Sequence, residues 1–236
     1  MSQSHPAGSP APLALAVLVA AGDVPARRAL DAAWPGWSEG AGLVVAADGG
    51  AAGARRLGLP PDLVVGDFDS LPDAARTRLE RAHVALEAWP AQKDRSDLEL
   101  ALLAALAREP ARLVLLGALG GARLDHELAN LALLALPELA GRQALCLDAR
   151  RRVRLLHGPG EAELAGPTGD LVTLLPWGAD ASGVTTAGLA YALHDETLGQ
   201  GSSRGLSNVR SGPAATVALR SGALLIVETR QPGGSS

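Results

Sequence analysis

Asp67 and Asp69 flank the only phenylalanine of the chain, Phe68, in the stretch "VVGDFDS". In an extended strand alternate side chains share a face, so both carboxylates would project together, about 6.6 Å apart along the backbone. Two like charges at that spacing repel by roughly 2.5 kcal/mol at an effective dielectric of 20, and by far less in open water. A surface turn tolerates the pair. A cleft demands a cation, and carboxylate oxygens suit Mg²⁺ or Ca²⁺ rather than a soft metal.

Further polar groups recur in the same half of the chain. Asp48 precedes the glycine pair Gly49–Gly50 in "ADGGA", and Asp94 and Asp97 lie in "KDRSDLELAL". "GALGGARLDHELAN" brings Gly120 and Gly121, then Arg123, Asp125 and His126. Each motif also has a plainer reading. An isolated D-x-D suits a turn, a glycine pair suits another, and Ser96 with Glu99 spells a capping box that would account for Asp97. His126 alone would be a helix-surface or core histidine. Recurrence is what favours chemistry, because all four motifs close strands of one sheet. Mg²⁺ is usually held by one or two carboxylates together with substrate phosphates, and helix starts opened by glycine offer N–H groups to those phosphates. Such equipment serves Mg²⁺-dependent phosphoryl or pyrophosphoryl transfer from a nucleotide, which works by positioning and charge neutralisation. The chain holds neither G-x-x-x-x-G-K-[ST] nor G-x-G-x-x-G, the marks of P-loop and dinucleotide folds.

The elements that position these groups read as a doubly wound α/β domain. Apolar runs at 13–20, 42–48, 62–68, 83–89, 112–119 and 143–148 alternate with Ala/Arg/Leu stretches of helical period. Runs without strict alternation imply a mostly parallel sheet covered on both faces, with ligands beyond the carboxyl ends of its strands. Beyond Arg150 the pattern changes to strand-like pieces between Gly, Pro, Ser and Asp: "RVRLLHG", "DLVTLLPW", "LAYALHD", "ATVALRS" and "ALLIVETR". This predicts an antiparallel β-sandwich. The expected organisation is a tail over 1–12, an α/β domain over 13–150, a β-sandwich domain over 151–230 and a tail over 231–236. The joint falls at the "DARRR" charge run.

Composition narrows the classes. A chain of 236 residues buries roughly 70% of its unfolded surface, so no metal or disulfide staple is needed. Its net charge of −4, with no basic stripe, argues against a nucleic-acid partner. Lys93 is the only lysine, and the single Cys146, inside "QALCLD", reads as a buried, inert thiol. Trp34, Trp37 and Trp89 are expected in or against the core. "LALAVLVAAG" has no Lys or Arg before it and falls short of the ~20 residues of a membrane span. It reads as a buried first strand of a cytoplasmic protein with no membrane partner.

In this order, "ADGGA", "LGLPPDLVVGDFDS", "KDRSDLELAL" and "GALGGARLDHELAN" resemble the thiamine pyrophosphokinase family, as do "GVTTAGLAYAL" (183–193), "GLSNV" (205–209) and the strand "ALLIVET". The resemblance covers roughly residues 13 to 230. It implies pyrophosphoryl transfer from ATP to the hydroxyethyl oxygen of thiamine, by attack on the β-phosphorus, giving thiamine diphosphate and AMP. It places Mg²⁺ at Asp67, Asp69 and Asp97, with Asp48 and Asp94 nearby and Lys93 close to the phosphates. The glycines and "GGARLDH", including Arg123, Asp125 and His126, would border the nucleotide. Ser207 and Asn208 match the segment that meets the thiamine ring. The resemblance also implies a homodimer with the site at the interface, the β domain contributing to it. Ala122 departs from the family's usual G-G-R-[LF]-D, and Val209 stands where an acidic residue often follows the Ser-Asn pair. Competing readings are pyrophosphoryl transfer to another alcohol such as a hydroxymethylpterin, a sugar-nucleotide transferase, and a nucleotide- or thiamine-binding module without turnover.

Overall fold

The computed structural model describes residues 13–68 and 73–231. Asp69 and, apart from Gln231, the expected tails lie outside the described residues. The first half alternates β1 (Leu15–Val19), α1 (Arg27–Ala33), β2 (Ala41–Ala47), α2 (Gly50–Arg56), β3 (Leu63–Gly66), α3 (Asp73–Arg81), β4 (Ala85–Ala88), α4 (Asp97–Leu106), β5 (Arg112–Leu116), α5 (Leu124–Ala132) and β6 (Gln143–Leu147). These strands form a parallel array in the order β6-β5-β1-β2-β3-β4. Strand β1 is buried throughout and feeds both faces. Ala16 and Leu18 pack beneath α4 with Leu98, Ala101 and Leu102, whereas Leu15, Val17 and Val19 face Leu30, Trp34 and Trp37. Burial on both sides explains why the strand sequences lack alternation.

The order reverses between β1 and β5, where a crevice must open above the carboxyl ends. Here the two connecting loops touch through their backbones. A Cβ on Gly22 would lie 2.3 Å from the carbonyl oxygen of Gly117, so that approach requires glycine.

The second half comprises β7 (Arg151–His157), β8 (Gly160–Ala165), β9 (Leu171–Pro176), β10 (Ala181–Ala187), β11 (Glu196–Leu198), β12 (Asn208–Val209), β13 (Ala214–Leu219) and β14 (Ala223–Thr229). Strand β7 pairs antiparallel with β6, and the sheet runs on through β14, β9 and β12 to make ten strands. The expected joint near 150 is therefore a turn within one continuous sheet. A second sheet, β11-β10-β13-β8, covers the far end, and Leu164, Val172, Leu174, Val184, Val217, Leu224 and Ile226 fill the sandwich between.

A charged lock joins those two layers. Glu228 of β14, only 2% exposed, accepts hydrogen bonds from Arg152 (2.7 and 2.6 Å), Arg154 (3.1 Å) and Arg210 (2.9 Å). The same guanidiniums reach the carbonyls of Glu163, Leu164 and Ala165 on β8. Burial pushes the Arg154 pKa down, and the Glu228 carboxylate opposes that shift. The "DARRR" run therefore does more than mark a joint: its last arginine, Arg152, also fastens the sandwich.

Two expectations change, and one strand is additional to those expected. "LAYALHD" (189–195) is not a strand but a loop pinned between β10 and β11, where the Leu193 N–H donates to Thr186 Oγ1 at 2.9 Å. Strand β8, "GEAELA", alternates exposed and buried positions but is too rich in Ala, Glu and Gly to stand out. Trp89 is exposed, and its indole N–H donates to Glu87 Oε1 at 2.9 Å, whereas Trp34 and Trp37 are buried as expected. Among the described residues no helix is long and apolar enough to cross a membrane.

Candidate active site

Four strand ends deliver side chains into one cleft of 530 Å³ at the reversal point. Asp48 follows β2, Asp67 follows β3, Lys93 and Asp97 stand at the start of α4, and Gly120, Gly121, Arg123 and His126 follow β5. Ala20, Ala21 and Gly22, after β1, form its floor. Asp48 has a positive φ of 41° and its N–H donates to the Val65 carbonyl at 2.8 Å, which fixes the carboxylate beside β3. Gly66 makes that approach possible, because a Cβ there would lie 3.0 Å from Asp48 Cβ.

The strand carrying Asp67 ends earlier than an alternating D-x-D requires. Strand β3 stops at Gly66, and Phe68 adopts a positive φ of 58°. Its ring then drops into a pocket of Ala46, Ala51, Val64 and Leu79. Phe68 is thus a buried anchor in left-handed backbone rather than an extended spacer, and burying that ring stabilises this conformation by roughly 2 kcal/mol.

Lys93 supplies the cation at this cluster. Its Nζ lies 2.5 Å from Asp97 Oδ1 and 4.0 Å from Asp67 Oδ2. Asp97 opens α4, whose N-cap Ser96 accepts from the Glu99 N–H at 3.2 Å. The capping and the cleft readings of this motif therefore hold together: Ser96 starts the helix and Asp97 faces Lys93. Among the described residues, no three His, Cys, Asp or Glu side chains gather closely enough to hold an ion. Two hard-oxygen carboxylates already spanned by a positive charge do fit a divalent cation that takes its remaining ligands from water and phosphate, the habit of Mg²⁺.

Other expected residues are placed differently. Arg123 and Asp125 pair with each other at the exposed rim. The hydrogen bond from Arg123 holds the Asp125 carboxyl below its usual range, and the same bond raises Arg123. Asp94 is exposed and lies outside the cleft lining, as do Gly49 and the buried Gly50. Two residues that sequence reasoning passed over hold the glycine loop in place. Asn130 Nδ2 donates to the Ala118 carbonyl at 3.0 Å. Arg151 ties Asp148 (2.7 Å) to Glu127 of α5 (2.8 Å). Asn130 closes the quoted "LDHELAN" but carries no charge to mark it, and Arg151 was hidden in the charge run.

Ser207 and Asn208 stand at the opposite edge of the sheet. Strands β12 and β3 are separated by eight steps in the strand order, or roughly 38 Å at about 4.8 Å per strand. Ser207 is exposed with a φ of 56°. The Asn208 amide is spent on the backbone of Tyr191, accepting from its N–H at 3.0 Å and donating to its carbonyl at 2.7 Å. It positions a loop whose tip, Tyr191, is 66% exposed.

Fold and cleft together define an α/β sheet with an acidic cleft at its reversal point, extended by a β-sandwich, and the family comparisons place this arrangement among transferases of the kinase class. The profile of the thiamin pyrophosphokinase catalytic domain matches residues 36–144, and that of the thiamin pyrophosphokinase vitamin B1 binding domain matches residues 161–224. The thiamine pyrophosphokinase of Bacillus subtilis (strain 168) is 28% identical over 195 residues, spanning 82% of this chain and 90% of the relative. The crystal structure of thiamine pyrophosphokinase from Bacillus subtilis superposes with a TM-score of 0.80 at 27% identity, covering 92% of this chain and all of that one. The Geobacillus thermodenitrificans thiamin pyrophosphokinase structure gives 0.77 at 27% identity over 93% and 99% of the two chains. The chain belongs to the thiamine pyrophosphokinase family.

Proposed function

We propose that the protein transfers a pyrophosphoryl group from ATP to thiamine, forming thiamine diphosphate and AMP. The observation that carries this reading is the convergence of Asp67, Lys93 and Asp97 in the cleft of a chain that matches both family profiles. In the reaction the thiamine hydroxyl oxygen attacks the β-phosphorus, and the bond from that phosphorus to the oxygen of the departing AMP breaks. Asp67 and Asp97, with Asp69 two residues after Asp67 in sequence, would hold Mg²⁺. The ion, when bound, neutralises charge on the transferring phosphates. Lys93 would place a point charge beside them, Asp48 would back the metal ligands from β2, and the rim of Gly120, Gly121, Arg123 and His126 would border the nucleotide.

We further propose that the working form is a homodimer. Ser207, in the segment matched to the thiamine ring, lies roughly 38 Å from the acidic cleft across its own sheet, too far to serve one reaction. A second copy can bring the two together. Exposed apolar groups flank both half-sites: Leu124 (67%) and Leu128 (54%) on α5, Tyr191 and Leu206 (56%) around Ser207. The single free Cys146 is consistent with cytoplasmic residence. No observation favours a hydroxymethylpterin, a sugar nucleotide or binding without turnover.

The test is one assay of the full-length protein with ATP, MgCl₂ and thiamine, following AMP and thiamine diphosphate. Both products in equal amounts, lost on chelation, support the proposal. AMP formed only with a different alcohol, or turnover unaffected by chelation, overturns the acceptor or the metal assignment respectively.

A further inference from the structure

We infer that Lys93 is the built-in counter-ion of the metal site, which must vacate the Asp67–Asp97 pair before a divalent cation can settle there. The inference rests on the Mg²⁺ reading above and concerns the order in which the site fills.

The geometry is specific. Asp67 and Asp97 come from consecutive crossings and face one half-buried cleft, where two negative carboxylates repel each other unless a cation intervenes. Lys93 lies four residues before Asp97, is mostly buried, and sends its ammonium between the two carboxylates, 2.5 and 4.0 Å away. The other cations of the cleft are engaged elsewhere: Arg95 pairs with Glu99 at 3.2 Å and Arg123 with Asp125. Lys93 thus stands within 4.0 Å of a carboxylate oxygen of each aspartate.

A divalent ion and this ammonium compete for the same oxygen atoms. Mg²⁺ binds carboxylate oxygen at about 2.1 Å, so an ion sharing Asp97 Oδ1 with Lys93 would stand no more than roughly 4.6 Å from the ammonium. Their repulsion is poorly screened inside a cleft. The lysine stem is flexible, with a compact charge that accepts any anion, and a nucleotide phosphate offers the alternative partner. Lys93 therefore opposes metal binding in the nucleotide-free protein and ceases to oppose it once phosphates arrive. The metal enters with the nucleotide rather than ahead of it. Lys93 is, in this role, a positioning residue whose effect appears in metal affinity as well as in turnover.

Mn²⁺ titration followed by electron paramagnetic resonance tests this on the full-length, nucleotide-free protein. Lys93→Met and Lys93→Gln should each bind Mn²⁺ about 10-fold or more tightly than the unsubstituted protein, the size of an ordinary coupling between two sites. Far-UV circular dichroism establishes that each variant is folded, and either variant suffices if the other is not. Asp67→Asn, made in parallel, should weaken Mn²⁺ binding. Equal or weaker Mn²⁺ affinity in the folded Lys93 variants overturns the inference. If Asp67→Asn then still weakens binding, the metal reading survives; if it leaves binding untouched, both fall.

Discussion

The Lys93 ammonium lies 2.5 Å from Asp97 Oδ1, and both residues stand at the entry to α4. A cap residue, Ser96, sits between them in sequence and starts the helix independently. Loss of Asp97 should therefore cost chemistry and spare the fold. We expect Asp97→Asn to lower the rate of AMP formation by about 100-fold or more, the scale of a lost electrostatic contact to a transition state. The circular dichroism spectrum should not change. A variant with undiminished turnover would remove Asp97 from the site.

Glu228 is the point where three guanidiniums meet, and its neutralisation should be felt as stability rather than as rate. Glu228→Gln removes the carboxylate to which Arg152, Arg154 and Arg210 are all bound. Breaking a buried ion network in this way costs about 3–5 kcal/mol, which lowers the melting temperature by roughly 10 °C for a chain of this size. Calorimetry of the two proteins checks this. A change of a degree or less would mean that the lock is dispensable.

Burial pushes the Cys146 thiol up to about 12. Its ordinary value in an unfolded chain is about 8.5, so the raised folded value gives a stability contribution that is complete below that pH. It is lost as the pH climbs toward the folded value, because only the unfolded state can then ionise. The slope is about 1.4 kcal/mol per pH unit through that window. Denaturant titrations at pH 8 and pH 10 should show the loss, and Cys146→Ala should flatten it. The native thiol should also resist alkylation at pH 8 and react only after unfolding.

The separation of Asp67 from Ser207 across one sheet makes a dimer testable by complementation. Asp67→Asn disables the acidic half-site, and Ser207→Trp blocks the other half-site on the distant edge. In a two-fold dimer each composite site draws one half from each copy. Co-expression of the two inactive variants should restore thiamine diphosphate formation in heterodimers, which keep one intact site. Absence of any recovery, with heterodimers verified by mass, would place both halves in a single chain.

The sequence conveyed the catalytic half of the fold well, because fully buried parallel strands such as "LVVAA" stand out as unbroken apolar runs. It conveyed the cleft through chemistry that cannot be hidden: charged residues at strand ends. The misses share one cause. The short strand β8 and the pinned loop 189–195 owe their conformation to partners outside their own segments, Ala214–Leu219 for the strand and Thr186 for the loop, and no local periodicity announces them. Phe68 shows the same limit on a smaller scale. Its alternation with two aspartates suggests an extended strand, but β3 stops at Gly66 and Phe68 takes a left-handed φ of 58° with its ring buried.

The continuity of the ten-stranded sheet has a consequence for how the molecule is made. During synthesis the parallel half emerges first, and until Arg151–His157 follows, β6 presents a row of unpaired N–H and C=O groups to its surroundings. A fragment ended at residue 150 would keep that edge open permanently and would invite pairing with other chains. The catalytic half and the sandwich are thus separable in the patterns of their sequences but joined in folding, each the other's cover.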